Sequence, residues 1–170
     1  MRELTKFICF IIIITVVFIA FPNRGYAQEK ATPQEVFEKI REAREFLSQA
    51  GTGLEEFNKK NGPWVFKDTY VFVFDCKKGT ILAHAIRPQL IGKNLMGLRD
   101  IKGNSFFAQL CAAAQTSSGG WVEYWWPKVG ETEPSRKISL LLQVPGTSYQ
   151  VGAGIYDEYK SIAELNALLK

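Results

Sequence analysis

Trp121-Val122-Glu123-Tyr124-Trp125-Trp126 packs three indoles, a phenol and a carboxylate into one short run, and Lys137 stands eleven residues beyond Trp126, inside Arg136-Lys137-Ile138-Ser139. Alternation along an extended strand sends Trp121, Glu123 and Trp125 to one face and Val122, Tyr124 and Trp126 to the other. If the next strand pairs with this one, Lys137 or Arg136 enters the concavity that Tyr124 and Trp126 share. Rings that exclude water, with one cation and one hydroxyl among them, suit the capture of a small carboxylate through charge-assisted hydrogen bonds. Trp121 and Trp125 are expected in the core.

The remaining reactive side chains point away from catalysis. His84 is the single histidine, and one imidazole without a second His or paired Cys spacing does not assemble a transition-metal shell. A Cys-His nucleophilic pair competes with a better use of both cysteines, given below. The chain carries no Gly-x-Ser-x-Gly elbow and no phosphate-cradling glycine loop. Asp75, Glu123, Asp157 and Glu158 fall at strand ends or a helix start, where solvated or capping carboxylates are ordinary. The expectation is a protein with no catalytic residues, no metal site and no cofactor.

The elements that must position these groups follow from periodicity. Thr32-Pro33-Gln34-Glu35 supplies an N-cap, a Pro at the first helical position and the Glu of a capping box. Val36, Phe37, Ile40, Ala43, Leu47 and Ala50 continue at helical spacing, which predicts one long amphipathic helix ending at Gly51-Thr52-Gly53. From Trp64 the period becomes two. Thr69 to Phe74 and Thr80 to Ala85, joined by Lys77-Lys78-Gly79, read as a hairpin. Residues 88–102 form an irregular crossover, and Ser105 to Gln115 a short helix. Three further strands are predicted over Trp121 to Trp126, Arg136 to Val144 and Tyr149 to Ile155, then a helix from Asp157 to Leu169. This order is an α+β layout, an antiparallel sheet of five to six strands flanked by helices.

The first residues suggest export. Arg2 and Lys6 precede an uncharged apolar run from Phe7 to Phe21, which spans only about 22 Å as a helix at ~1.5 Å per residue, against a hydrocarbon core of ~30 Å. Gly25-Tyr26-Ala27 places small residues where a signal peptidase reads them, predicting a signal peptide over 1–27 cleaved before Gln28, with an uncleaved anchor as the alternative. The mature chain, Gln28 to Lys170, is the size of one domain and contains no further spanning stretch. Losing Arg2, Lys6, Arg24 and Glu3 lowers the net charge from +4 to about +2, with the basic residues scattered, which argues against nucleic acid. Cys9 leaves with the signal peptide. Cys76 and Cys111 remain as an even pair in an oxidising compartment and favour a disulfide over two free thiols.

Five ordered stretches resemble a known family: Tyr70-Val-Phe-Val-Phe-Asp-Cys-Lys-Lys-Gly-Thr-Ile-Leu-Ala-His84, Arg87-Pro-Gln-Leu-Ile-Gly-Lys-Asn94, Trp121-Val-Glu-Tyr-Trp-Trp-Pro-Lys128, Pro134-Ser-Arg-Lys-Ile-Ser139 and Val151-Gly-Ala-Gly-Ile-Tyr156. Together they are similar to the single Cache domain of the second type. The resemblance implies a PAS-like sheet behind a long N-terminal helix, with a pocket between sheet and crossover loops. It further implies a periplasmic sensor of small molecules, often short organic acids, serving chemotaxis receptors or histidine kinases in signal transduction. By motif position the ligand-binding residues would be Tyr70, Phe72, His84, Tyr124, Trp126, Lys137 and Ser139. Two departures stand out. Ala85 occupies a position where the family usually has Pro, and the chain ends after one helix where the family's receptors continue into a transmembrane segment. The expected form is therefore a standalone periplasmic or secreted module that reports to a membrane receptor or kinase; the alternative is an interaction module of an envelope signalling system with no small ligand.

Overall fold

The computed structural model describes residues 28–50 and 53–169; the predicted signal peptide and its cleavage site lie outside them. Helix α1 (Pro33–Ala50) begins as the capping box requires. The Glu35 amide donates to Thr32 Oγ1 at 3.3 Å and the Thr32 amide to Glu35 Oε2 at 2.9 Å, reciprocally satisfying two amide donors at the helix start. Val36, Ile40, Ala43 and Leu47 form its buried stripe.

That stripe lies on an antiparallel five-stranded sheet of order β4-β3-β7-β6-β5. Its strands are β3 (Phe72–Asp75), β4 (Thr80–His84), β5 (Gly120–Pro127), β6 (Pro134–Gln143) and β7 (Tyr149–Ile155). The predicted first strand is divided. Thr69–Tyr70 (β2) pairs with Val65–Phe66 (β1) in a separate ribbon. The ribbon turns at Lys67, whose φ of +47° takes the chain through the left-handed region. Ile138, Leu140, Leu142, Val151, Ala153 and Ile155 meet α1 on one face of the sheet.

Helix α2 (Phe106–Ala114) covers the opposite face, preceded by a strap, residues 85–105. The strap is bonded to both edges of the sheet. On the β4 side the Gly92 amide donates to the Ile81 carbonyl and the Leu95 amide to the Gly79 carbonyl, each at 2.8 Å. On the β5 side the Trp125 amide donates to Asp100 Oδ2 at 3.1 Å. Cys76 and Cys111 are joined, their Cα atoms 5.7 Å apart, so the disulfide ties α2 to the end of β3. Among the described residues, no helix is long and apolar enough to cross a membrane.

Two expectations are corrected. The last helix, α3, covers only Ile162–Ala167. Asp157 instead accepts the amides of Tyr159 and Lys160 at 2.7 and 2.8 Å, and the helix starts later on a capping box between Ser161 and Glu164. Trp125 is half-buried rather than core, because it meets exposed strap residues: Lys102 Nζ sits 5.3 Å from its ring centre, and Leu98 and Ile101 lie beside it. Trp121 is buried as expected.

Candidate functional site

Pairing of β5 with β6 sets Tyr124 opposite Lys137 and Val122 opposite Ser139, so Tyr124, Lys137 and Ser139 share the face turned toward α2. Arg136, one residue earlier, points the other way and makes an ion pair with Glu123 through two of its nitrogens. The register thus decides which cation enters the concavity. It is Lys137.

Lys137 is completely buried, and its Nζ has no hydrogen-bond partner. It lies among ring faces, 4.2 Å from the centre of Tyr70, 5.1 Å from Tyr156 and 5.7 Å from Phe72. Loss of hydration pulls its pKa down to about 7, with Arg87 acting in the same direction and Asp68 opposing. Cation–π attraction compensates only part of such desolvation. An ammonium held this way favours the arrival of an anion.

The polar groups around it are spoken for more fully. Tyr124 Oη and Ser139 Oγ are hydrogen-bonded at 2.9 Å, and the Trp126 indole donates to Tyr70 Oη at 3.0 Å. Burial raises the pKa of both phenols, so they remain neutral donors. His84 Nδ1 accepts the Arg87 amide at 3.1 Å, which leaves the proton of the neutral ring on Nε2. Burial, then the charges of Lys137 and Arg87, press the His84 pKa down to about 3. Its ring packs against Tyr70, centres 4.7 Å apart.

A cavity of about 20 Å³ lies between sheet, strap and α2. Of the predicted residues, Tyr70, Phe72, His84, Tyr124 and Trp126 line it; the strap adds Leu90 and Leu95, and α2 adds Phe106, Phe107 and Leu110. Lys137 and Ser139 do not reach its surface, since Lys137 lies against the ring of Tyr70. The space holds roughly one water. A ligand therefore needs the strap or the Tyr70 ring to give way.

Three of the carboxylates considered for acid-base work are engaged elsewhere and Glu158 is exposed: Asp75 accepts the Lys77 and Lys78 amides and the Ser148 hydroxyl, Asp157 holds its turn, and Glu123 holds Arg136. Sequence reasoning missed three contributors. The glycines of β7 strip one face of that strand. A Cβ on Gly152 would meet Leu141 Cδ1 at 2.5 Å and Phe72 Cζ at 2.6 Å, and one on Gly154 would fall inside Ser139 Oγ. Tyr156, next on the same face, closes the chamber and donates to the Pro127 carbonyl at 2.7 Å. Arg87 lies 5.5 Å over Trp126 at the rim. The signal for the first two was the alternation Gly152, Gly154, Tyr156.

A helix-backed antiparallel sheet with a ring-lined chamber under a crossover strap defines an α+β sensor fold, and family comparison agrees. The chain belongs to the family Single Cache domain 2, whose model matches residues 14–163. It is 32% identical over 89 residues to the methyl-accepting chemotaxis protein McpP of Pseudomonas putida, a match covering 52% of this chain and 16% of that receptor. A solved structure described as a periplasmic sensor domain of a chemotaxis protein is 25% identical, with a TM-score of 0.58 over 74% of this chain and 90% of that one. Another, on carboxylic acid recognition by a Cache chemosensory domain, is 24% identical with a TM-score of 0.56 over 72% and 86%, a likeness of fold. The chain thus carries a Cache sensor domain of the kind found in chemotaxis receptors, a class of non-catalytic sensing modules.

Proposed function

We propose that this domain is an exported sensor that binds a short organic acid in the chamber between the sheet strands β3, β4 and β5, the strap and α2, and reports its occupancy to a membrane receptor or kinase. The observation that carries the reading is the Lys137 ammonium, fully buried and without a hydrogen-bond partner. A carboxylate would supply the partner it lacks. Tyr70 would turn aside to let the ligand reach Nζ, His84 Nε2 and the Tyr124 hydroxyl would donate to it, Ser139 would orient Tyr124, and Phe72 and Trp126 would form the apolar wall. The charge-assisted bond, made away from water, would provide most of the affinity. Export with residues 1–27 as signal peptide and 28–170 as the mature domain completes the proposal.

The test is a thermal-shift screen of short organic acids on the protein and on Lys137→Met. A bound ligand raises stability by RT ln(1 + [L]/Kd). The parent should gain melting temperature with an acid while the variant, equally folded, should not. An acid that shifts both alike would remove Lys137 from the site. The narrow cavity supports a second reading, an interaction module whose chamber is filled by its own side chains; silence across the screen together with co-purification of a receptor would select it.

A further inference from the structure

Charge is distributed unevenly over the molecule. Between Cys76 and Val122 the chain carries Lys77, Lys78, Arg87, Lys93, Arg99 and Lys102 against one acid, Asp100. That acid is already engaged, accepting the amides of Lys102 and Asn104, the Asn104 side chain and the Trp125 amide at 2.9 to 3.1 Å. The α1 surface, by contrast, alternates Glu35, Glu38, Glu42 and Glu45 with Lys39, Arg41 and Arg44. Glu131 and Glu133 lie outside the cationic segment, on the loop between β5 and β6, which also carries Lys128.

The same segment presents most of the large hydrophobic side chains that are exposed among the described residues. Of the six large hydrophobic residues exposed among the described residues, Ile91, Met96, Leu98 and Ile101 belong to the strap, Ile101 being 64% exposed. The strap's inward residues, Leu90 and Leu95, line the cavity, so its outward ones are not needed for the core. Leu98 and Ile101 share a shallow apolar depression with Trp125, Trp126 and Pro127, and Lys93, Arg99 and Lys102 stand exposed among the four strap residues. Beside them the half-buried Trp125 lies under Lys102, an indole and a cation of the pair that settles at headgroup level. Exposed apolar side chains interleaved with cations that have almost no acid beside them in the strap fit a surface that is anionic on the outside and apolar just beneath.

We propose that this strap-bearing face docks on an anionic lipid surface, its lysines and Arg99 meeting headgroup phosphates and its aliphatic side chains entering the interface. The proposal stands independently of the ligand reading.

Co-sedimentation of the exported protein with vesicles tests it, using phosphatidylcholine alone and phosphatidylcholine mixed with phosphatidylglycerol. Binding should require the anionic lipid and fade as salt rises. The Lys93→Gln/Lys102→Gln pair should weaken partition about thirty-fold, at about 1 kcal/mol per cation near such a surface, and Leu98→Ser/Ile101→Ser should weaken it too. Ile101→Ser alone, at the most exposed strap position, serves if the double variant melts early. Any N-terminal apolar segment is common to parent and variants and cancels. Equal binding to both vesicle types, binding unchanged in folded variants, capture of an acidic protein without lipid binding, or a dimer abolished by Leu98→Ser/Ile101→Ser would each overturn the proposal.

Discussion

The two faces of the sheet are built from one set of strands yet packed on opposite principles. Strand β6 shows it best: Ile138, Leu140 and Leu142 face α1 among aliphatic neighbours, while Lys137, Ser139 and Leu141 face the chamber. Among the described residues, the polar side-chain atoms buried without partners besides Lys137 Nζ are Thr69 Oγ1 on the β2 ribbon and the indole nitrogens of Trp64 and Trp121 in the α1-side core. On the other face, the rings of Tyr70, Phe72 and Tyr156 surround the unpartnered Lys137 Nζ. Burial of apolar area is non-directional and drives folding. Burial of an unpaired charge opposes it. One face therefore supplies stability, and the other gives part of it up, which on the proposed reading is readiness for a ligand.

The largest effect should come from the α1 face. Leu140→Ala removes a fully buried side chain and should lower unfolding free energy by about 2–5 kcal/mol, measured by denaturant titration. Any response to an organic acid should survive in the folded variant. A lost response with little destabilisation would erase the distinction between the faces. Next comes the disulfide, which serves the chamber side by holding α2. Replacing Cys76 and Cys111 by Ser releases a loop of 35 residues, which should cost about 3 to 4 kcal/mol in the chain-entropy account. Here ligand affinity should fall too, since Phe106, Phe107 and Leu110 ride on the freed helix. Unchanged affinity would mean that α2 is seated by packing alone.

What could be read in advance divides along local and non-local lines. The start of α1 was legible because its capping box lies within four residues, and the β5 to β7 meander because each strand alternates between clear turns. The Ser161-Glu164 box offered the same local signal, yet the helix was expected from Asp157, whose carboxylate holds a turn instead. Whether Lys137 or Arg136 turns inward depends on inter-strand register, which the residue pattern left open and Tyr124 opposite Lys137 decides. Trp125 looked like core by type. Its partial exposure goes with its neighbours, Lys102, Leu98 and Ile101 of the exposed strap, which lie more than twenty residues away in sequence. The width of the chamber is not legible at all: it depends on how far the Phe72 ring settles against β7, where Gly152 leaves room for it.

The smallest predicted effect tests the chamber most directly, because it involves one proton. Lys137 titrates at about 7 in the fold, against 10.5 for a free amine, chiefly through desolvation. Between those values the unfolded chain binds the proton and the folded one does not, so this group makes stability rise as pH rises from about 7 toward 10.5. Anion binding should run the opposite way. A carboxylate needs the charged ammonium, so its affinity should be level below pH 7 and fall about tenfold per pH unit above it, about 1.4 kcal/mol each. The fall ends where the pKa of the bound state, raised by the anion, is reached. Isothermal titration in buffers of different ionisation heat should show net proton uptake near pH 8, and Lys137→Met should abolish whatever uptake is found. His84, held neutral down to about pH 3, contributes no step in this window. A flat affinity profile in the parent would show that the ligand's charge is met elsewhere, and Arg87 at the rim over Trp126 would then be the cation to remove.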